Sequence, residues 1–180
     1  MPCQSILNGR LNKLFRKHSR RPRGGCMLKM SDCFHNGIAV ADIHQARESL
    51  GESLGVDWSP VRSFDPLPFW TPEAGDHEIV VHACYSREGP VHLELCQGNS
   101  PFYDPAQLPD SRHIGFWTQN LADAATTLQA QGWRALAAGA SPDDGYGLIC
   151  YLMPPNGGLI IELVDTALQP VIAEWVTAKE

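Results

Sequence analysis

Apolar residues along the chain follow two spacings, one typical of strands and one typical of helices. From Ile43 to Leu54 and from Leu121 to Gln131 they recur every three or four residues, which predicts two amphipathic helices. A short polar residue precedes each helix as an N-cap. Gly55 and Gly132 follow at the position where a left-handed residue ends a helix.

Further segments of alternating or continuous apolar residues predict strands on both sides of each helix. They cover residues 60–64, 78–86 and 90–97 in the first half and 134–138, 147–153 and 158–164 in the second. One more strand starts each half at a His-x-Gly segment. A shift of 78 residues places His35 on His113 and Gly37 on Gly115, so both halves repeat one β-α-β-β-β pattern.

This duplication predicts an α+β fold in which two β-α-β-β-β modules form a cupped, mostly antiparallel eight-stranded sheet around a common cavity. We expect the first module over residues 31–97, a linker over 98–112, the second module over 113–165 and a C-terminal helix or tail over 166–180. A chain of 180 residues is long enough for two half-domains that share one core.

The distribution of charge separates the first 30 residues from the rest. Residues 1–30 contain eight Lys and Arg and no acid, whereas the remaining 150 residues contain six bases and 20 acids. We expect a disordered basic N-terminal extension; organelle targeting by this segment, or a true start at Met27 or Met30, stays open. The acidic remainder argues against nucleic acid as a partner.

Cysteine usage and hydropathy indicate the cellular environment. The six cysteines include no C-x-x-C pair, and no apolar segment marks a signal peptide. No run of about 18 apolar residues predicts a transmembrane span. We therefore expect a reduced cytoplasmic protein with free thiols.

Two histidines and two glutamates occupy equivalent positions in the two halves. His35 and His113 each open a first strand, and Glu94 and Glu162 lie in the apolar last strands. Side-chain alternation places all four on the sheet face away from the helices, with small residues beside each histidine leaving space. A carboxylate in an apolar strand is costly unless it meets a cation or hydrogen-bond donors. We predict that these residues bind one divalent ion (zinc, nickel, cobalt or manganese); a metal-free cavity is the alternative.

Four further side chains are candidates near this cavity. His82 and His92 are candidate hydrogen-bond partners of the ligands or proton carriers, although a hydrogen-bonded wall residue is the simpler interpretation of each. Arg87 lies at a strand end, where it is either a contact for an anionic substrate group or an ordinary turn arginine. Trp117 is either a pocket residue or part of the packing.

Four motifs together resemble the vicinal oxygen chelate superfamily, which includes glyoxalase I, methylmalonyl-CoA epimerase, extradiol dioxygenases and bleomycin-resistance proteins. The motifs are residues 35–42, 92–95, 112–117, and 155–158 followed by 161–164. The resemblance implies paired β-α-β-β-β modules with a divalent ion inside the cupped sheet. The ligand order His, Glu, His, Glu is similar to glyoxalase I, whereas the dioxygenases lack a ligand where Glu94 stands.

The resemblance therefore implies a divalent-metal-dependent lyase or isomerase of the glyoxalase type, which catalyses proton transfer next to a carbonyl through a metal-bound enediolate. Glu162 or Glu94 would be the catalytic residue that moves the proton. We expect a small carbonyl substrate, such as a thiol or CoA conjugate, and a homodimer. Two alternatives stay open: an acyl-CoA epimerase, and a metal-free small-molecule binding or resistance protein.

Overall fold

The computed structural model describes residues 28–107 and 111–179. The basic extension predicted over residues 1–30 lies outside these residues, apart from its last three. Among the described residues, eight strands and three α-helices follow one another in the order β-α-β-β-β-β-α-β-β-β-α. The strands are β1 (Cys33–Ala39), β2 (Arg62–Thr71), β3 (Gly75–Tyr85), β4 (His92–Gly98), β5 (His113–Thr118), β6 (Arg134–Ala138), β7 (Ile149–Met153) and β8 (Ile160–Asp165). The helices are α1 (Ile43–Leu54), α2 (Leu121–Ala130) and α3 (Gln169–Thr177).

All eight strands join one closed sheet in the order β1-β4-β3-β2-β6-β7-β8-β5. The β1–β4 and β5–β8 pairs are parallel, and the other six pairs are antiparallel. The two modules meet at β1 and β5 on one side, and at a single β2–β6 register pair, Trp70 with Ala138, on the other. This confirms the α+β fold and the cupped, mostly antiparallel eight-stranded sheet.

Capping residues close to each helix in the sequence determine where helices α1 and α2 begin and end. The carboxylate of Asp42 accepts hydrogen bonds from two backbone amides of the first turn of α1, and Gly55 ends that helix in the left-handed conformation, with φ 66°. The side chain of Asn120 caps α2 in the same way. Helix α1 has the predicted bounds, and α2 ends one residue before the predicted Gln131.

Strand β2 is longer than predicted. The sequence pattern predicted this strand only over residues 60–64. Pro66 and Pro68 follow, and proline has no amide to donate to a neighbouring strand. In the structure the strand continues to Thr71, and its register with β3 shifts between Phe64 and Leu67. Such a bulge leaves a residue outside the ladder, so the strand passes the first proline and pairs with β3 again beyond it.

Apolar side chains pack on both faces of the closed sheet. On the outer face, α1 covers Leu95 and Cys84, while α2 packs on a second cluster that includes Leu163. On the inner face, aromatic and aliphatic side chains form the largest cluster, and α3 adds Ile172, Trp175 and Val176 to it. The C-terminal helix therefore forms part of the wall of the sheet interior.

Arg87 attaches helix α3 to the first module. Its guanidinium donates hydrogen bonds to the backbone carbonyls of Trp58, Val176 and Ala178. The indole N–H of Trp175 adds a hydrogen bond of 2.7 Å to the carbonyl of Pro60. Because its donors are directed to backbone carbonyls, these contacts favour the turn arginine among the two interpretations of Arg87.

The described residues also bear on two expectations about the environment of the chain. Their four cysteines, Cys33, Cys84, Cys96 and Cys150, are all free thiols. Among these same residues, no helix combines the length and the apolar character that crossing a bilayer requires.

Candidate metal centre

His35, Glu94, His113 and Glu162 converge inside the closed sheet, and all four are buried. Nε2 of His35 lies 2.9 Å from Oε2 of Glu162 and 3.3 Å from Oε2 of Glu94. Nε2 of His113 lies 3.4 Å and 3.3 Å from the same two oxygens, and the two Nε2 atoms are 3.1 Å apart. The four residues that strand alternation placed on one face thus meet at one point.

The register of the central strands brings these side chains together. In the antiparallel pair β1–β5, His35 lies opposite Gly115 and Gly37 lies opposite His113. The parallel neighbours β4 and β8 then place one glutamate beside each glycine. Four adjacent strands, β4, β1, β5 and β8, therefore contribute one ligand-capable side chain each.

Each glycine of the His-x-Gly segments makes room for the histidine of the other module. A Cβ atom on Gly37 would lie 2.0 Å from Cε1 and Nε2 of His113, and a Cβ atom on Gly115 would lie 2.0 Å from Cε1 of His35. The sequence predicted that small residues beside each histidine leave space, and the structure shows that the histidine of the other module occupies it.

The donor atoms are spaced as a divalent ion requires. For bonds of about 2.1 Å, neighbouring ligand atoms lie about 3.0 Å apart in an octahedron and about 3.4 Å apart in a tetrahedron. The nitrogen–nitrogen and nitrogen–oxygen distances of 2.9–3.4 Å cover this range. Two imidazoles and two carboxylates suit zinc, nickel, cobalt or manganese. The side chains therefore fit a bound metal, which would also offset the cost of burying two carboxylates.

The histidine rings are held in different ways. Nδ1 of His113 lies 2.8 Å from the backbone carbonyl of Ser111. Because a carbonyl only accepts, Nδ1 carries the hydrogen, and the lone pair of Nε2 in the neutral ring faces the cluster. Nδ1 of His35 is buried and has no hydrogen-bond partner among the described residues, so packing against Phe34 and Gly115 orients this ring.

Comparison with known proteins agrees with this architecture. The sequence model of the Glyoxalase/Bleomycin resistance protein/Dioxygenase superfamily matches residues 34–151. The chain belongs to this superfamily. It is the vicinal oxygen chelate superfamily, so the resemblance predicted from the four motifs is confirmed.

Two solved structures match this chain at low sequence identity. Methylmalonyl-CoA epimerase from Mycobacterium tuberculosis matches with a TM-score of 0.50 and 19% identity, over 86% of this chain and 99% of that chain. A Streptomyces coelicolor methylmalonyl-CoA epimerase variant in complex with 2-nitronate-propionyl-CoA matches with a TM-score of 0.46 and 18% identity, over 76% of this chain and 97% of that chain. A search of curated proteins finds no match.

The charges of this vicinal oxygen chelate site stabilise each other. Burial alone would lower the pKa of His113, but hydrogen bonds and charge from Glu162 and Glu94 raise it to about 10. Burial would likewise raise the pKa of Glu162, but hydrogen bonds from His113 and His35 hold it well below its usual range. A metal ion at this cluster would therefore compete with a proton.

We expect the free energy of unfolding of the metal-free protein to fall as the pH rises from about 6.5 to about 10. The pKa of His113 is about 10 when folded and near 6.5 when unfolded, so the folded protein binds more protons in this interval. The stabilisation is complete below pH 6.5 and is lost as the pH passes 10. Urea denaturation of chelator-treated protein measures this slope, and between pH 6.5 and about 8, below the pH at which unfolded thiols lose their protons, the slope should be absent in His113→Gln. A stability that rises over this interval would contradict the assignment.

A cavity of about 400 Å³ extends from the metal centre. Of the four candidate ligands, Glu94 and Glu162 line it and the two histidines do not. The rest of the wall is mainly apolar and aromatic, with α3 on one side. A molecule that entered this cavity would therefore meet the two carboxylates and not the two histidines.

Two tyrosines flank the glutamates in equivalent positions. Tyr85 lies opposite Glu94 in the β3–β4 pair, and Tyr151 lies opposite Glu162 in the β7–β8 pair. Burial, followed by the nearby carboxylates, raises the pKa of Tyr85 well above its usual range, so its hydroxyl stays protonated and donates to Glu94. The hydroxyl of Tyr151 instead lies 3.1 Å from that of Tyr103. Sequence reasoning missed Tyr85 and Tyr151, although a tyrosine directly across the hairpin from each glutamate is a usable signal.

The structure places the two other candidate histidines away from this centre. His82 lies between Val81 and Ala83, which both line the cavity, so its side chain is on the opposite face of β3. His82 is therefore not positioned to be a hydrogen-bond partner of the ligands or a proton carrier, the less simple of its two interpretations. Nδ1 of His92 lies 2.8 Å from the carbonyl of Ser86, where it supports the turn between β3 and β4.

Trp117 belongs to the packing at the edge of the inner cluster. Its ring stacks on that of Phe34, with centroids 3.7 Å apart and planes inclined by 13°. It packs against the inner apolar cluster but is not one of the residues that line the cavity. Its position orients Phe34, whose ring in turn contacts His35 edge-on at a centroid distance of 4.3 Å.

Proposed function

We propose that the protein is a divalent-metal-dependent lyase or isomerase of the glyoxalase type, which moves a proton next to a substrate carbonyl. The observation that carries this proposal is that four ligand-capable side chains meet at one point while only Glu94 and Glu162 of them line the cavity. A bound divalent cation would polarise the carbonyl and offset the charge that develops when the adjacent C–H is deprotonated.

The histidines and the glutamates have different roles in this proposal. His35 and His113 are held by the opposing glycines and serve as fixed ligands. A glutamate that loosens from the cluster regains basicity and takes the proton. Both glutamates line the cavity. Tyr85 lies opposite Glu94, whereas the hydroxyl of Tyr151, opposite Glu162, contacts Tyr103 instead, so Glu162 is the less restrained carboxylate and we assign the proton transfer to it. The apolar wall keeps water away from the reacting carbon.

An acyl-CoA epimerase is the second candidate. Its reaction removes a proton from one face of a carbon next to a carbonyl and returns it to the other face, which two separate carboxylates in one cavity support. The fold is shared with the methylmalonyl-CoA epimerase of Mycobacterium tuberculosis. The two candidates differ in outcome, since an epimerase interconverts mirror-related centres and leaves every other bond intact.

Metal content and proton exchange test the proposal together. We expect protein expressed with added zinc, nickel, cobalt or manganese to retain about one ion per chain. His113→Ala should lose this ion, whereas His44→Ala, which changes an exposed residue of α1, should keep it. In D₂O the loaded protein should exchange the C–H next to the carbonyl of either the methylglyoxal–glutathione hemithioacetal or a 2-methylacyl-CoA. Wild-type protein that retains no metal would contradict the proposal and favour a metal-free binding protein.

A further inference from the structure

Arg62 is the only basic residue among the described residues that line the cavity. We propose that its guanidinium binds an anionic group at the far end of the substrate, while the substrate carbonyl reaches the metal centre. This inference rests on the proposed function, and it specifies the class of substrate: a carbonyl compound with an apolar body and a distal carboxylate or phosphate.

Strand register places Arg62 on the same face as the metal centre and at a distance from it. Arg62 pairs with Ala83, and Ala83 pairs with Cys96, which lies two residues beyond Glu94 on β4. Two strand spacings across and two residues along the strand put the Cα atoms of Arg62 and Glu94 about 12 Å apart. A ligand that contacts both the metal and Arg62 therefore needs a spacer of several bonds.

Trp175 orients the guanidinium of Arg62, and no carboxylate among the described residues neutralises its charge. Its Cζ lies 4.8 Å from the centroid of the Trp175 ring, and Trp175 is itself fixed by its hydrogen bond to Pro60. In the part of the chain that the structure describes, Arg62 forms no ion pair, although the protein has more acids than bases. A half-buried arginine stacked on an aromatic ring keeps its edge donors available for a carboxylate or phosphate.

The surface between Arg62 and the metal centre selects an apolar spacer. Ala83, the partner of Arg62, and Tyr85, the partner of Glu94, line the cavity between them, and Val81 and Val164 add to the apolar wall. Phe64, Leu148 and Val171 also line it and are partly exposed to solvent, so its mouth is apolar as well. A polar spacer would lose its hydration here without gaining hydrogen bonds.

Paired hydroxamates test this inference, because a hydroxamate offers two neighbouring oxygens to a metal. Zinc-loaded protein is titrated calorimetrically with alkyl hydroxamates and with the same compounds carrying a terminal carboxylate, in a series with four, six and eight methylene groups. In wild-type protein one length of the carboxylated series should bind about 10-fold more tightly than its alkyl counterpart. A phosphonate series shows which anion is preferred.

Arg62→Met should abolish the preference for the carboxylated compound and leave binding of the alkyl hydroxamate unchanged, while Arg62→Lys should keep part of the preference. Arg134→Met, which removes the same charge from an exposed residue outside the cavity, is the matched control. Equal affinity for both compounds in wild-type protein would overturn the role of Arg62 and leave the metal centre intact. If neither compound binds zinc-loaded protein, the proposed function fails, and this inference fails with it.

Discussion

In a Glu162→Gln variant we expect proton exchange next to the substrate carbonyl to slow by about 10²–10⁴-fold. Glutamine has nearly the same size as glutamate and keeps an oxygen that can bind a metal, but it cannot accept a proton. Glu162 is 2.9 Å from His35 and lines the cavity, so the substitution changes the chemistry of the site with little change in packing. We therefore expect the Glu162→Gln protein to retain the metal ion and to lose most of its rate of proton exchange.

The comparison with Glu94→Gln decides which carboxylate moves the proton. Glu94 accepts a hydrogen bond from Tyr85 and is the more firmly held ligand, so its replacement should lower metal affinity more and the rate of the loaded protein less. Exchange in D₂O followed by NMR gives the rates, and elemental analysis gives the metal content. Glu73→Gln, in the exposed turn between β2 and β3, controls for a lost charge. Full activity in loaded Glu162→Gln protein would refute the assignment.

Local features of the sequence were sufficient to predict the helices and the position of the ligands. Helix α1 has its predicted bounds because Asp42 and Gly55 cap it through contacts within the same segment. Glu94 and Glu162 could be placed on the inner face because side chains alternate strictly along a strand, and the surrounding residues are apolar enough to fix the register.

Contacts between distant segments account for what the sequence did not predict. The carbonyls that Arg87 binds on α3 are about 90 residues further along the chain, so no local pattern links the two. Arg62 was missed because its position on the face of the metal centre depends on the pairing of β2 with β3 and of β3 with β4. In each case the partner segment is supplied only by the fold.

The reciprocal fit of glycine and histidine is the clearest such case, since it depends on the register between β1 and β5. Either half of the sequence contains a histidine and a glycine two residues apart, but the packing partners come from opposite halves. A single module would therefore present each glycine without the ring that fills its space, and the centre is complete only when both modules are joined.

A methyl group on Gly115 should consequently disrupt the metal centre. The added Cβ would lie 2.0 Å from Cε1 and 2.3 Å from Nδ1 of His35, whose ring is fully buried. We expect Gly115→Ala to lower metal affinity at least about 100-fold and to destabilise the metal-free protein by about 1–3 kcal/mol. Metal titration and urea denaturation in the presence of chelator measure the two effects separately. Gly51→Ala, on helix α1, should retain the ion.

A double-mutant cycle distinguishes this steric mechanism from a general loss of stability. In a His35→Ala background the ring that the new methyl group would meet is absent. Adding Gly115→Ala should therefore lower the free energy of unfolding of the metal-free protein far less than it does in the wild-type background. Gly37→Ala should behave in the same way with His113→Ala, because the two modules repeat one arrangement. If the effects of the two substitutions on the free energy of unfolding are additive at either pair, the glycine does not make room for the opposite histidine, and the reciprocal fit is wrong.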